Sequence, residues 1–442
     1  MRRQLRILSG LALLLLLVAG AGAQELLSRP EIEGHATPTA EFPEPRSASL
    51  EYIDVAVLAV ALGLSVYLAL VRRSRRGLFL LAIGSLVYFG FYRQGCVCAI
   101  GSIQNVVLAL SDSSYGVSLA ILAFFALPLV ATLFFGRTFC AAVCPLGAIQ
   151  ELFALRPVKV PVWLDQALGL TPYVYLGAAV VYAATGTAFI ICEYDPFVAF
   201  FRLSGSANML ILGACFLVIG LFIGRPYCRY LCPYGALLKP LSRLSRWHVR
   251  IPPEECINCR LCEDACPYGA IHPPTVKQSD ADRKAARTRL VLLLALSPVM
   301  VAAAGWAGRG LGVPLSRLHP ESQLAERVRL EETGQVEGTT DASDAFYSTG
   351  RPRQELYDAA LALHERFSVA GMLLGGWVAL VIAVKLIHTN LRRQRAEYSA
   401  EKGSCVSCGR CFWYCPAEQV RLGLIENVDV VVKRPAAQEG KS

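Results

Sequence analysis

Two four-cysteine runs of identical spacing, Cys256-x2-Cys259-x2-Cys262-x3-Cys266-Pro267 and Cys405-x2-Cys408-x2-Cys411-x3-Cys415-Pro416, stand on either side of two apolar blocks at 288–307 and 368–388. If both blocks cross a bilayer, the runs return to the same face and are free to fold together. Seven blocks in all are near the length that a hydrocarbon core of about 30 Å requires: 52–71, 78–93, 116–135, 172–192, 207–224, 288–307 and 368–388. Charged residues make up 17% of the chain, low for a soluble protein.

The charges that are present follow membrane topology. Residues 1–23 begin with Arg2, Arg3 and Arg6, continue in an apolar run and close on Ala21-Gly22-Ala23, which fits a secretory signal peptide. With the mature N-terminus outside, Arg72-Arg73-Ser74-Arg75-Arg76, Arg137, Arg156, Lys159, the basic stretch 225–250 and residues 385–395 all fall in the cytoplasm, as the positive-inside rule requires. The net charge of +9 is therefore read as topology in an inner membrane and not as nucleic-acid binding. The polar segments 24–50 and 308–367 are expected to be periplasmic and partly irregular, and 435–442 a disordered tail. The expected domains are a five-helix membrane unit over 51–245, a cytoplasmic ferredoxin half over 246–287, a transmembrane helix at 288–307, the periplasmic loop, a helix at 368–388 and a second cytoplasmic ferredoxin half over 389–434. The fold class is thus an α-helical polytopic membrane protein, with about seven transmembrane helices after the signal peptide and a split bacterial-type two-cluster ferredoxin domain of α+β type.

The four-cysteine spacing is that of bacterial 4Fe–4S ferredoxins, in which the fourth cysteine of each run ligates the other cluster. Cys256, Cys259, Cys262 and Cys415 are the expected ligands of one cluster, and Cys405, Cys408, Cys411 and Cys266 of the second. Zinc or free thiols are the alternative, disfavoured by two complete runs. Arg260 and Arg410 either tune potential or are solvated surface, the reading preferred here.

Two shorter units, Phe139-Cys140-x3-Cys144-Pro145-x-Gly147-Ala148 and Tyr227-Cys228-x3-Cys232-Pro233-x-Gly235-Ala236, repeat the ending of the first run, Cys262-x3-Cys266-Pro267-x-Gly269-Ala270. Each follows an apolar block and a Gly-Arg pair (Gly136-Arg137, Gly224-Arg225), and each has a cysteine upstream, Cys98 and Cys192. This is a duplicated two-helix unit, and such duplications often put sites at the repeat interface. Cys140, Cys144, Cys228 and Cys232 are candidates for a further iron–sulfur or iron centre. Cys98 and Cys192, with Cys96, are candidates for a centre near the opposite face, or else packed thiols or a disulfide.

In these features, and in Cys192-Glu193-Tyr194-Asp195-Pro196-Phe197, the chain resembles the NapH/NosR family of membrane polyferredoxins over about residues 78–275. The resemblance implies electron delivery from the quinol pool or a cytoplasmic donor to a periplasmic reductase, flavoprotein or cytochrome, as in nitrous oxide or nitrate respiration, with quinone as a further candidate cofactor. The chain departs from NosR-like members in having Ser348-Thr349-Gly350-Arg351 where a flavin-attachment motif would read Ser/Thr-Gly-Ala-Thr, and in an extra pair of spans before the second run. The competing readings are a metal reductase similar to CcoG-like copper reductases of oxidase assembly, and a membrane redox sensor.

Glu193 and Asp195 beside Cys192 either relay protons from quinol or form a solvated, capping loop. His35, His248, His272, His319, His364 and His388 are read as surface or interfacial, since His364 and His388 stand at opposite ends of one span and cannot share a haem, and no supporting partner for a ligating histidine is visible. No Ser-His-Asp arrangement, Walker loop or dinucleotide fingerprint occurs.

Overall fold

The computed structural model describes residues 47–95, 98–155, 158–203, 206–251, 256–275, 280–391, 395 and 397–428. The signal segment, most of 24–50, Cys96 and the tail expected at 435–442 lie outside the described residues.

All seven apolar blocks form helices. The first, Ala48–Val66, continues as a π-helical turn over Tyr67–Val71, and the second, Arg75–Ser85, as one over Leu86–Tyr92. Ser74 and Ser118 cap the helices that follow them by accepting from Gly77 and Ile121 amides. Four helices among the described residues are long and apolar enough to cross a membrane: Ser49–Val71, Val162–Ala184, Arg283–Arg309 and Arg353–Asn390. Leu119–Phe135 and Ala207–Gly220 are shorter than the expected spans. Local chemistry sets two helix ends: Gly136 takes φ 73° after Leu119–Phe135, and after Ala184 the Thr185 hydroxyl turns back onto the Val181 carbonyl while Gly186 takes φ 69°.

The last two long helices form a hairpin packed through small residues. A side chain at Gly308 would run into the Gly371 carbonyl, and one at Gly375 into that of Ala304, the close backbone approach that small-xxx-small patterns allow. Trp377 donates to the Tyr173 carbonyl at 2.8 Å and ties this hairpin to the rest of the membrane unit.

The segment between these helices is not irregular, contrary to expectation. It folds into Gly312–Ser316, Pro320–Glu332 and Asp341–Ser348, and the last helix starts at Arg353, well before the expected 368. Ala325, Val328, Phe346 and Leu356 form a small core, and a Thr340–Ser343 capping box starts one helix. Tyr347 and Arg327 on Glu331, with Tyr357 and Arg353 on Glu332, bind the helices together. Two of the acidic residues that made the segment look solvated, Glu331 and Glu332, are committed to these contacts.

The two four-cysteine segments meet at one end of the molecule. Strand Ile271–His272 pairs antiparallel with Ser399–Ala400, with Ile271 opposite Ala400, and the helical turns Leu261–Ala265 and Arg410–Tyr414 pack together. This unit sits on the loops of the membrane helices. Arg75 donates to the Cys408 carbonyl, Arg73 pairs with Glu418 at 3.0 Å and lies over Phe412, and Ser242 and Lys402 exchange hydrogen bonds with backbone across the junction.

Candidate metal centres

Each four-cysteine loop bends through two left-handed residues at equivalent positions, Asn258 and Arg260 in one, Ser407 and Gly409 in the other. This curvature points amides and thiols inward. Cys256, Cys259, Cys262 and Cys415 line one cavity, and Cys266, Cys405, Cys408 and Cys411 line another. Three thiols in each cavity come from one run and the fourth from the other. Backbone amides of Ser407 and Arg410 donate toward Cys405 and Cys408, and those of Ala417 and Glu418 toward Cys415. Among the described residues no three His, Cys, Asp or Glu side chains converge closely enough for a single metal ion. Four thiols spread round a cavity, with amide donors behind them, fit a polynuclear cluster better than zinc. Burial pushes the Cys405 thiol up to about 12, so in this setting iron must displace the proton to bind.

The duplicated units face each other. A side chain at Gly147 would come 3.0 Å from the Arg225 guanidinium, and one at Gly235 would come 3.5 Å from that of Arg137. Gly147 thus leaves room for the arginine of the opposite repeat, while Gly235 lies in ordinary contact distance of its counterpart. Cys140, Cys228 and Cys232 line one cavity, and Cys144 is buried next to them. Arg137 donates to Cys140 Sγ at 3.7 Å, Gln150 to Cys228 Sγ at 3.3 Å and the Gly235 amide to Cys232 Sγ at 3.3 Å. Sulfurs that each receive a donor suit ligating thiolates.

The cavities are neighbours in series. Cys262 packs in one apolar cluster with Ile271 and Tyr398, against which Cys256, Cys266 and Cys411 also lie. Tyr268 and Val406 line both the second four-thiol cavity and the cavity of Cys140, Cys228 and Cys232.

Glu151 joins these parts and was not singled out in the sequence. Its carboxylate, 2% exposed, receives Arg225 at 3.0 Å, Arg410 at 2.8 Å, Arg75 and the Tyr268 hydroxyl at 3.0 Å. Burial raises its pKa, but Arg225, Arg410 and Arg75 outweigh that and hold it at about 2. Arg410 is therefore no solvated surface residue, whereas Arg260 remains exposed. The sequence signal was there: a lone carboxylate in the otherwise uncharged helix Pro145–Phe153 needs buried partners.

Toward the other end, Cys98 and Cys192 lie close to one another: a Cβ at Gly101 would lie 3.1 Å from Cys192 Sγ and 3.9 Å from the Cys98 carbonyl. Glu193 is exposed, but Asp195 is buried, accepting from the Phe197 amide at 2.9 Å. The solvated-loop alternative holds for the first and fails for the second. Asp54, inside the first span and 1% exposed, pairs with Arg93 at 2.9 Å and accepts from Tyr88; this buried pair also escaped the sequence reading.

A 4Fe–4S binding domain family matches residues 117–169 and again 207–252, one match on each repeat, and a second 4Fe–4S binding domain family matches 249–272. An uncharacterized protein of Methanocaldococcus jannaschii is 30% identical over 40% of this chain and 75% of its own length. The chain belongs to the NapH/NosR-like family of membrane ferredoxins. As a member of that family it is an iron–sulfur electron-transport protein of a membrane. Protein NirI of Paracoccus denitrificans is 35% identical over 32% of this chain and 23% of its own length. Regulatory protein NosR of Stutzerimonas stutzeri is 27% identical over 46% of this chain and 30% of its own. The chain spans less than a third of either of these two relatives. No solved structure matches it.

Proposed function

We propose that this family member conducts electrons through an inner membrane, from the quinol pool or a cytoplasmic donor to a periplasmic reductase, flavoprotein or cytochrome, as in nitrous oxide or nitrate respiration. Cys256, Cys259, Cys262 and Cys415 hold one 4Fe–4S cluster, and Cys405, Cys408, Cys411 and Cys266 the second; when bound, such clusters supply one-electron transfer at potentials set by surrounding charge, burial and hydrogen bonds. Cys140, Cys144, Cys228 and Cys232 form the next centre, and Cys98 with Cys192 marks the exit toward the opposite face.

The reading is carried by the wall that Tyr268 and Val406 share between the second four-thiol cavity and the cavity of the paired repeats. It leaves no thick layer of protein between successive thiol sets, so the chain's own packing keeps each step short. The basic loop at 72–76 contacts the second ferredoxin half through Arg73 and Arg75. A basic loop is retained on the cytoplasmic side, so both ferredoxin halves lie there, and the acidic helical segment 312–348 lies in the periplasm.

The deciding experiment is anaerobic purification with iron quantitation and EPR. The ferredoxin clusters alone would give about eight irons per chain. An excess that disappears in Cys140→Ser or Cys232→Ser establishes the repeat centre; iron content unchanged by both substitutions removes it. A colourless, iron-free protein after anaerobic reconstitution would sink the whole reading.

A further inference from the structure

The cavity between the repeats carries more positive charge than its own carboxylates can answer. It measures about 800 Å³ counting its open mouth and is lined by Arg137, Arg225, Arg229, Lys239 and Lys385, with Asp165 as its one acid. Arg225 is answered by Glu151, and Arg229 by Asp165 at 2.6 Å. Asp165 also accepts from Tyr230 and has little left to give. Glu401, the nearest further carboxylate, is taken by Ser404 at 2.7 Å, with Arg243 and His272 beyond.

Three cations remain. Arg137, 7% exposed, donates to the Gly403 carbonyl and to Cys140 Sγ, and its buried Nε has no partner. Among the described residues Lys385 reaches only the Gln166 carbonyl, at 2.9 Å. Lys239 Nζ has no hydrogen-bond or ion-pair partner among the described residues. Burial first, and then the charges of Arg137, Lys385 and Arg243, pull Lys239 down to about 8 despite Glu401. Like charges gathered in a half-buried space are unfavourable unless an anion joins them.

Position identifies the anion. Arg137 sits at the thiol end of the cavity. Lys385 lies near the C-terminal end of the helix Arg353–Asn390, and Tyr173 and Gly169 lie at the start of Thr171–Ala184. A lysine near the end of a membrane-crossing helix is expected at the boundary between hydrocarbon and water, where basic pockets between helices receive lipid headgroups, and Gly169 and Tyr173 mark a break in the neighbouring Val162–Ala184 segment. Tyr173 supplies the aromatic edge common at that depth. We propose that this cavity binds a phosphate monoanion or diester at Lys239 and Lys385, supplied by the headgroup of an anionic phospholipid. Arg137 faces the thiols assigned to the repeat centre, so the phosphate is assigned to the lysine end of the same cavity.

The test uses the full chain in detergent, titrated separately with phosphatidylglycerol, phosphatidylcholine and inorganic phosphate, with binding read by native mass spectrometry and by thermal stabilisation. Phosphatidylglycerol should bind in preference to phosphatidylcholine, and Lys239→Gln and Lys385→Gln should each weaken it about tenfold, the loss typical of one charge-assisted hydrogen bond. Lys239→Arg should retain binding, which separates lost charge from lost fold. Inorganic phosphate that binds with the same dependence on both lysines would make the free anion the source. Equal binding of the two lipids, or a phosphatidylglycerol preference that survives both glutamine substitutions, would overturn the proposal.

Discussion

Arg225 Nε lies 3.0 Å from the Glu151 carboxylate, with both side chains withdrawn from solvent. The pair joins the two repeats, and the same carboxylate gathers Arg75 from the first helical loop, Tyr268 from the first ferredoxin half and Arg410 from the second. Four distant stretches of chain thus depend on one charge. Removing it leaves three guanidinium groups crowded in a poorly solvated space, which costs about 3–5 kcal/mol for a buried pair that loses one partner. Glu151→Gln should lower the unfolding temperature markedly and should release the second ferredoxin half to limited proteolysis. A Glu151→Gln protein as stable and as protease-resistant as the parent would show that the junction is held by apolar packing instead.

The junction also has a pH-sensitive element. Burial, with help from Lys402 and Arg250, depresses His248 from its ordinary value to about 4. Its Nδ1 is buried without a hydrogen-bond partner among the described residues. A group with a folded pKa below its unfolded one stabilises the fold above the unfolded value and loses that contribution as pH falls through the folded value. Stability should therefore be steady above about pH 6.5 and should decline between about 6.5 and 4. Thermal unfolding across this range should show a shallower decline in His248→Gln. Parallel profiles for the two proteins would exclude His248 as the source.

Much of this architecture could be read from the sequence, and the misreadings share a cause. Apolar blocks and cysteine spacing are local patterns, so they located the helices and grouped Cys415 with Cys256, Cys259 and Cys262 in one cavity. Helix ends were harder, because Gly136 and Gly186 stop helices by backbone conformation inside still-apolar sequence. Charged residues misled most. Arg410 finds Glu151 across 259 positions, and Glu331 and Glu332 find tyrosines and arginines on neighbouring helices. No local pattern distinguishes a charge with a distant partner from a solvated one. The repeated Cys-Pro-x-Gly ending was legible as a duplication, but not the approach of Arg225 to Gly147 of the opposite repeat.

The hairpin of the last two long helices depends on missing side chains. A Cβ at Gly371 would lie 2.5 Å from the Gly308 carbonyl, whereas one at Gly63 would meet nothing within 4 Å. Overpacking at such a contact costs about 1–3 kcal/mol. Gly371→Val should destabilise the detergent-solubilised chain clearly more than Gly63→Val, as read by thermal unfolding of both. Equal effects would mean that the helices have room to separate at no cost.

The grouping of cysteines across the two runs makes the sharpest prediction. If each run held its own cluster, Cys415→Ser and Cys405→Ser would disturb the same EPR signal. The cavities group them differently: Cys415 lines the space with Cys256, Cys259 and Cys262, and Cys266 that with Cys405, Cys408 and Cys411. Cys415→Ser should therefore alter the signal that Cys256→Ser alters, and Cys266→Ser the one that Cys405→Ser alters. Each variant should lose up to about four of the roughly eight ferredoxin irons. The exchange also means that neither run can complete its cluster until the hairpin between them has brought both to one face. Truncation after the first run should therefore abolish the EPR signal that Cys256→Ser alters, whatever the repeat centre holds, and a truncated chain that keeps that signal would refute the exchanged pairing.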